Sequence, residues 1–141
     1  MPSLHFDNFG IVTVTDATVA ITDDGYAGQR IIMNRAAGIT ATLPPATGSG
    51  VRYEFIGAVD ASGSQVIQVT GNDTMAGVAI IGGEDFNTAA TSDTITLDGS
   101  TTGGLKGWRV VADDIAADTW AVIVMSEASG TEATPFSAAV S

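Results

Sequence analysis

Polar and apolar side chains alternate along almost the whole of this chain, and β-branched residues hold many of the apolar positions. The runs are IVTVT at 11–15, ATVAIT at 17–22, QRIIMN at 29–34, ITATL at 39–43 and VRYEFIG at 51–57. They continue with QVIQVT at 65–70, GVAII at 77–81, DTITLD at 93–98, GWRVVA at 107–112 and TWAVIVM at 119–125. A period of two is what a strand with one buried face requires, and no run carries the 3.6-residue period of an amphipathic helix. Turn signals such as Asp24-Gly25, Pro44-Pro45, Gly48-Ser49-Gly50, Gly71-Asn72, Gly82-Gly83 and Asp98-Gly99 separate the runs, at intervals of roughly 8 to 12 residues. About ten short strands at that spacing predict an all-β chain, an antiparallel β-sandwich or jelly-roll-like single domain with little or no helix. The stretch GEDFNTAAT at 83–91 reads as a loop.

A chain of 141 residues can bury one proper core, so one domain is expected. Within it the pattern divides into an N-terminal arm and first strands (1–28), a β-sandwich core (29–125) and a C-terminal tail or arm (126–141). That last segment, SEASGTEATPFSAAVS, loses the alternation and carries Pro135 near its end.

The side chains that perform chemistry are scarce. His5 is the one imidazole and cysteine is absent, so a Ser-His-acid triad, a thiolate nucleophile and a disulfide framework are all disfavoured. Acids at 23–24, 84–85 and 113–114 do not follow the ligand spacing of a calcium loop and read as solvated turn residues. Gly103, Gly104 and Gly107 lack the strand-to-helix context of a phosphate loop. No catalytic residue, cofactor site or metal site is therefore nominated, and the expectation is a protein that is not an enzyme.

Charge narrows the partners. Sixteen acids against five bases give a formal net charge of −11, which opposes binding to nucleic acid or to an anionic membrane. No run approaches the ~18 apolar residues of a membrane helix, and MPSLHFDNFG has no signal-like character, so a soluble chain made in the cytoplasm is expected. Charged residues make up only 15 % of the total, below the roughly 25 % of an average soluble domain. So weakly charged a surface suits one that neighbours cover, and equally an ordinary all-β domain with short polar side chains on its outer faces. Arg30, Arg35 and Arg52 are too few for a basic patch, and each is expected to pair with an acid.

In the stretch TTGGLKGWRVVADDIAADTWAVIVM, at 101–125, the parity of the alternation puts Trp108, Val110 and Ala112 on one face, and Trp120, Val122 and Val124 on one face of the next strand. Two inward tryptophans make this a hairpin that builds the core and not a ligand site. Tyr53, Phe55, Trp108 and Trp120 are the candidate core aromatics. DDIAAD is expected to form the connection, kept solvated by Asp113, Asp114 and Asp118.

The succession ATLPPATGSGVRYEFIG (41–57), QVIQVTGNDTMAGVAII (65–81), DTITLDGSTTGGLKGWRVVADDIAADTWAV (93–122) and GTEATPFSAAV (130–140) resembles small structural proteins of tailed bacteriophages, in particular capsid decoration, or cement, proteins. The likeness runs from Ile31 onward and rests on turn and core positions. It implies a virion structural protein on the outer capsid surface, assembled in the host cytoplasm, whose partners are the major capsid protein and its own copies. A homotrimer at three-fold positions would stabilise the shell through several simultaneous contacts. Related patterns occur in tail-fibre and spike modules, for which the partner would be host surface glycan. Leu4, Phe6 and Phe9 in the N-terminal segment, and Phe136 and Val140 in the C-terminal one, are candidate contacts with a neighbouring subunit or the capsid.

Overall fold

The computed structural model describes residues 10–140. Among them the chain is almost entirely β. The strands are β1 (Ile11–Val14), β2 (Thr18–Ala20), β3 (Arg30–Met33), β4 (Thr40–Thr42), β5 (Arg52–Gly57), β6 (Gln65–Gln68), β7 (Thr74–Ile81), β8 (Glu84–Asn87), β9 (Thr94–Leu97), β10 (Arg109–Ala116), β11 (Thr119–Ser126) and β12 (Phe136–Ser137). One helical turn, α1 (Asp23–Tyr26), lies between β2 and β3. The single turn of helix thus falls at the Asp24-Gly25 signal, and the stretch read as a loop at 83–91 instead contains β8, turned back on β7 through Gly82 and Gly83.

Two sheets enclose one core. The first has seven strands in the order β1-β3-β5-β10-β11-β7-β8, and the second five in the order β12-β9-β6-β4-β2. The sandwich is mixed and not purely antiparallel. From β1 to β6 the chain alternates between the sheets, laying β1, β3 and β5 parallel in one and β2, β4 and β6 parallel in the other. Residues 11–68 therefore wind as three stacked coils, the first of which takes in β1 and β2, the first strands expected within residues 1–28. Hairpins do not generate such pairing: parallel neighbours need a crossover, and here each crossover is a strand of the opposite sheet. The antiparallel pair β10–β11 then fills the space between β5 and β7.

Alternation decides which side chains enter the core. Ile31, Phe55, Val110, Val124 and Ala79 pair in one row across five strands and are all fully buried. Trp108 and Trp120 are 1 % and 0 % exposed, Tyr53 and Phe55 0 %, and the rings of Tyr53 and Trp120 lie 5.8 Å apart at 44°. Trp108 needs Gly57, because a Cβ there would stand 2.0 Å from its indole Nε1. The indole N–H groups of both tryptophans have no hydrogen-bond partner among the described residues.

The C-terminal segment is a strand of the chain's own second sheet and not a tail awaiting a partner. β12 pairs with β9, Asp93 N–H donates to the Ser137 carbonyl (2.9 Å) and Thr96 N–H to that of Pro135 (2.8 Å). Phe136, expected to contact a neighbour, is buried in this core. Its neighbour Pro135 cannot donate to a ladder, which suits an edge strand.

Candidate functional site

Two cross-strand rows span the outer face of the seven-stranded sheet. One runs Ile11–Arg30–Glu54–Val111–Ile123–Val78–Asn87, the other Thr13–Ile32–Ile56–Arg109–Met125–Ile80–Asp85. A shorter row, Arg52–Asp113–Ala121–Ala76, lies beside them. Ile123 and Met125 are each 51 % exposed and Ile80 38 %. Of the six large apolar side chains left exposed among the described residues, Ile11, Ile80, Ile123 and Met125 stand on this face, and Ile115 lies at the bulge where β10 ends. An apolar cluster on a sheet's outer side is the usual mark of a contact surface.

Ion pairs border it. Arg52 Nε donates to Asp113 at 2.7 Å, Arg109 to Glu54 at 2.9 Å, and Arg30 stands 3.9 Å from the same glutamate. The hydrogen bond and charge of Asp113 raise the already high pKa of Arg52 further. Arg35 instead donates to the Gly38 carbonyl at 3.0 Å. At the edge of the apolar cluster a depression of about 550 Å³ is lined by Ile80, Met125, Gly82, Gly83, Glu127 and Glu132, among others. The second sheet shows a different outer face, where Thr18, Thr40, Thr42 and Gln68 line a smaller hollow of about 320 Å³.

The acids expected to solvate turns do more specific work. Asp114, thought to keep the β10–β11 connection wet, is 2 % exposed because parity points it inward with Val110 and Ala112. Its carboxylate accepts from the Gly48 N–H (2.7 Å), the Ser49 hydroxyl (2.7 Å), and the Thr47 N–H (3.0 and 3.1 Å) and hydroxyl (3.3 Å). Asp73 accepts the neighbouring Ala46 N–H at 2.7 Å. The ATGSG loop is thus an anion cradle closed on the protein's own carboxylate, with Gly48 at φ +81° supplying the left-handed backbone that aims its N–H inward. Burial pushes the Asp114 pKa up, but the bonds from Ser49, Thr47 and Gly48 outweigh it and hold it at about 2. The signal for this clamp was present in the sequence, since a glycine-rich loop with no ligand motif has donors that some acceptor must satisfy.

Elsewhere Asp23, on α1, accepts a hydrogen bond from the buried Tyr53 hydroxyl, whose pKa is raised by burial first and by Asp23 second. Asp98 closes its own turn, accepting from Ser100 N–H (2.8 Å) and Thr102 N–H (3.1 Å). The connection between β10 and β11 shrinks to Ala117 and Asp118, the latter at φ 65°. Among the described residues no three His, Cys, Asp or Glu side chains gather to hold a metal ion. Val140 is exposed, with its backbone N–H held by Asp93 at 3.1 Å. Leu4, Phe6 and Phe9, together with His5, lie outside the described residues. No helix of the described residues is long and apolar enough to cross a membrane. No family model matches this chain, and neither the curated proteins nor the solved structures offer a match.

Proposed function

We propose that this chain is a non-enzymatic virion structural protein that decorates and stabilises a bacteriophage capsid, acting from the outer capsid surface as an oligomer, a trimer by the resemblance, that bridges capsomers. The observation that carries the reading is the broad outer face of the seven-stranded sheet, where the apolar cluster lies exposed on a scaffold whose loops are fastened to its own carboxylates. A rigid scaffold with a ready-made contact face loses little freedom on binding, so most of its contact energy remains available for holding neighbours together. An oligomer that touches several capsomers multiplies that effect, by a factor on the order of 10² to 10⁴ over a single contact.

Co-sedimentation of the full chain with expanded empty capsids tests this. Saturable binding, and capsids that resist heat or chelation better when coated, are expected. Capsids that neither bind the protein nor gain stability overturn the reading, and binding to host surface glycan in their place would return the chain to a tail-fibre or spike role.

A further inference from the structure

Ile80, Ile123 and Met125 stand in water beside the half-buried Ile56, Val78 and Val111, and the strand register joins all six into one patch on the outer face of the seven-stranded sheet. We propose that this face is the contact between copies of this chain, the sheet of one copy laid against that of another. The inference rests on the oligomeric role proposed above and names the surface that role uses between copies; a face laid on its own copy closes as a two-fold pair, so this contact builds a dimer where the resemblance implies a trimer.

Charge selects the occupant. Three of the chain's five basic side chains, Arg30, Arg52 and Arg109, stand on this face and are matched there by Glu54 and Asp113. The face is close to neutral on a molecule of net charge −11, so the excess negative charge lies on the other surfaces. Two copies that approach through an acidic side set like charges against each other, whereas this face and the uncharged threonine face of the second sheet let them meet without that repulsion, and of those two only this one exposes Ile80, Ile123 and Met125. A basic partner would be drawn to the acidic remainder. A sugar would need aromatic platforms, and the three rows that form this face hold no aromatic side chain.

Area agrees. Seven strands about 4.8 Å apart, averaging near six residues of about 3.3 Å, span roughly 34 Å by 20 Å, on the order of 700 Å². A standard specific interface takes about 800 Å² from each partner. Stacked sheets whose side chains interdigitate at a spacing of about 10 Å would bury the patch.

The test uses the full chain alone, without capsids. Light scattering on the eluting protein over a concentration series should give a multiple of the 14.2 kDa chain mass. Ile123→Lys and Met125→Glu should each return it to 14.2 kDa with unchanged circular dichroism, since both side chains are already half in water. Because the chain has no cysteine, Ala121→Cys adds a unique thiol on the same face. Maleimide labelling of that thiol should slow as protein concentration rises, and this decides the matter if either charged variant fails to fold. A wild-type chain that stays monomeric, charged variants that keep the oligomer mass, or a thiol labelled equally fast at every concentration each overturn the inference. Since no capsid is present, such a failure leaves the capsid-binding result standing, and a failure to bind capsids leaves this contact standing.

Discussion

Asp114 follows Trp108, Val110 and Ala112 on the inward parity of one run, so the alternation that buried the tryptophan also aimed a carboxylate at the core. Its polar company in DDIAAD hid this, because a cluster of acids reads as solvated unless parity is followed through it. The clamp makes stability depend on pH with a definite sign. The folded pKa of about 2 lies below the unfolded value of 3.8, so the contribution is fully present above pH ~4 and is lost as pH falls through ~2. Discounted for nearby solvent it is on the order of 1 to 2 kcal/mol. Asp114→Ala also strands the Thr47 and Gly48 N–H groups and should cost about 2 to 4 kcal/mol in urea unfolding at pH 7. Asp114→Asn should recover little, since its amide NH2 opposes donors, and the gap to wild type should close near pH 2. The tryptophans contribute differently. Trp120→Ala should cost roughly 3 to 5 kcal/mol, whereas Trp120→Phe, which keeps most of the apolar bulk and removes an N–H that has no partner among the described residues, should cost less than half of that. Equal costs for the two would mean that the indole N–H has a partner in solution.

At the scale of elements, strand positions were legible because alternation is local, and every run identified from it contains a strand. Pairing was not, since whether β3 lies beside β1 or against a hairpin partner depends on residues in the other coils. Two strands went unread for a simpler reason. EDFN in β8 is mostly exposed and polar, and β12 spans two residues, so neither shows a period. The C-terminal segment is where this matters most: β12 covers an edge of β9 and places Phe136 in the core. Truncation after Gly130 should therefore destabilise the monomer, at about 1.5 to 3 kcal/mol for the phenylalanine alone, and thermal unfolding should show it without any partner present. If the melting temperature is unchanged, β12 does not hold the sheet edge in solution.

For the whole molecule, a large negative net charge means that copies repel at long range, so the contact proposed for the outer face acts only at close approach. Screening length falls from about 30 Å at 0.01 M salt to about 8 Å at physiological ionic strength. Added salt should therefore raise the oligomeric fraction measured by light scattering, the reverse of what ion pairs across the contact would give. The order of strands within the larger sheet also bears on how the protein is made. β5 and β7 are separated by β10 and β11, which a ribosome delivers last among the sheet's strands and which bring Trp120 and, just ahead of β10, Trp108. Until residue 126 has cleared the exit tunnel, the growing chain holds two part-built sheet edges and a core without its largest side chains, so it waits, unclosed, for a wedge that arrives after every other strand of that sheet.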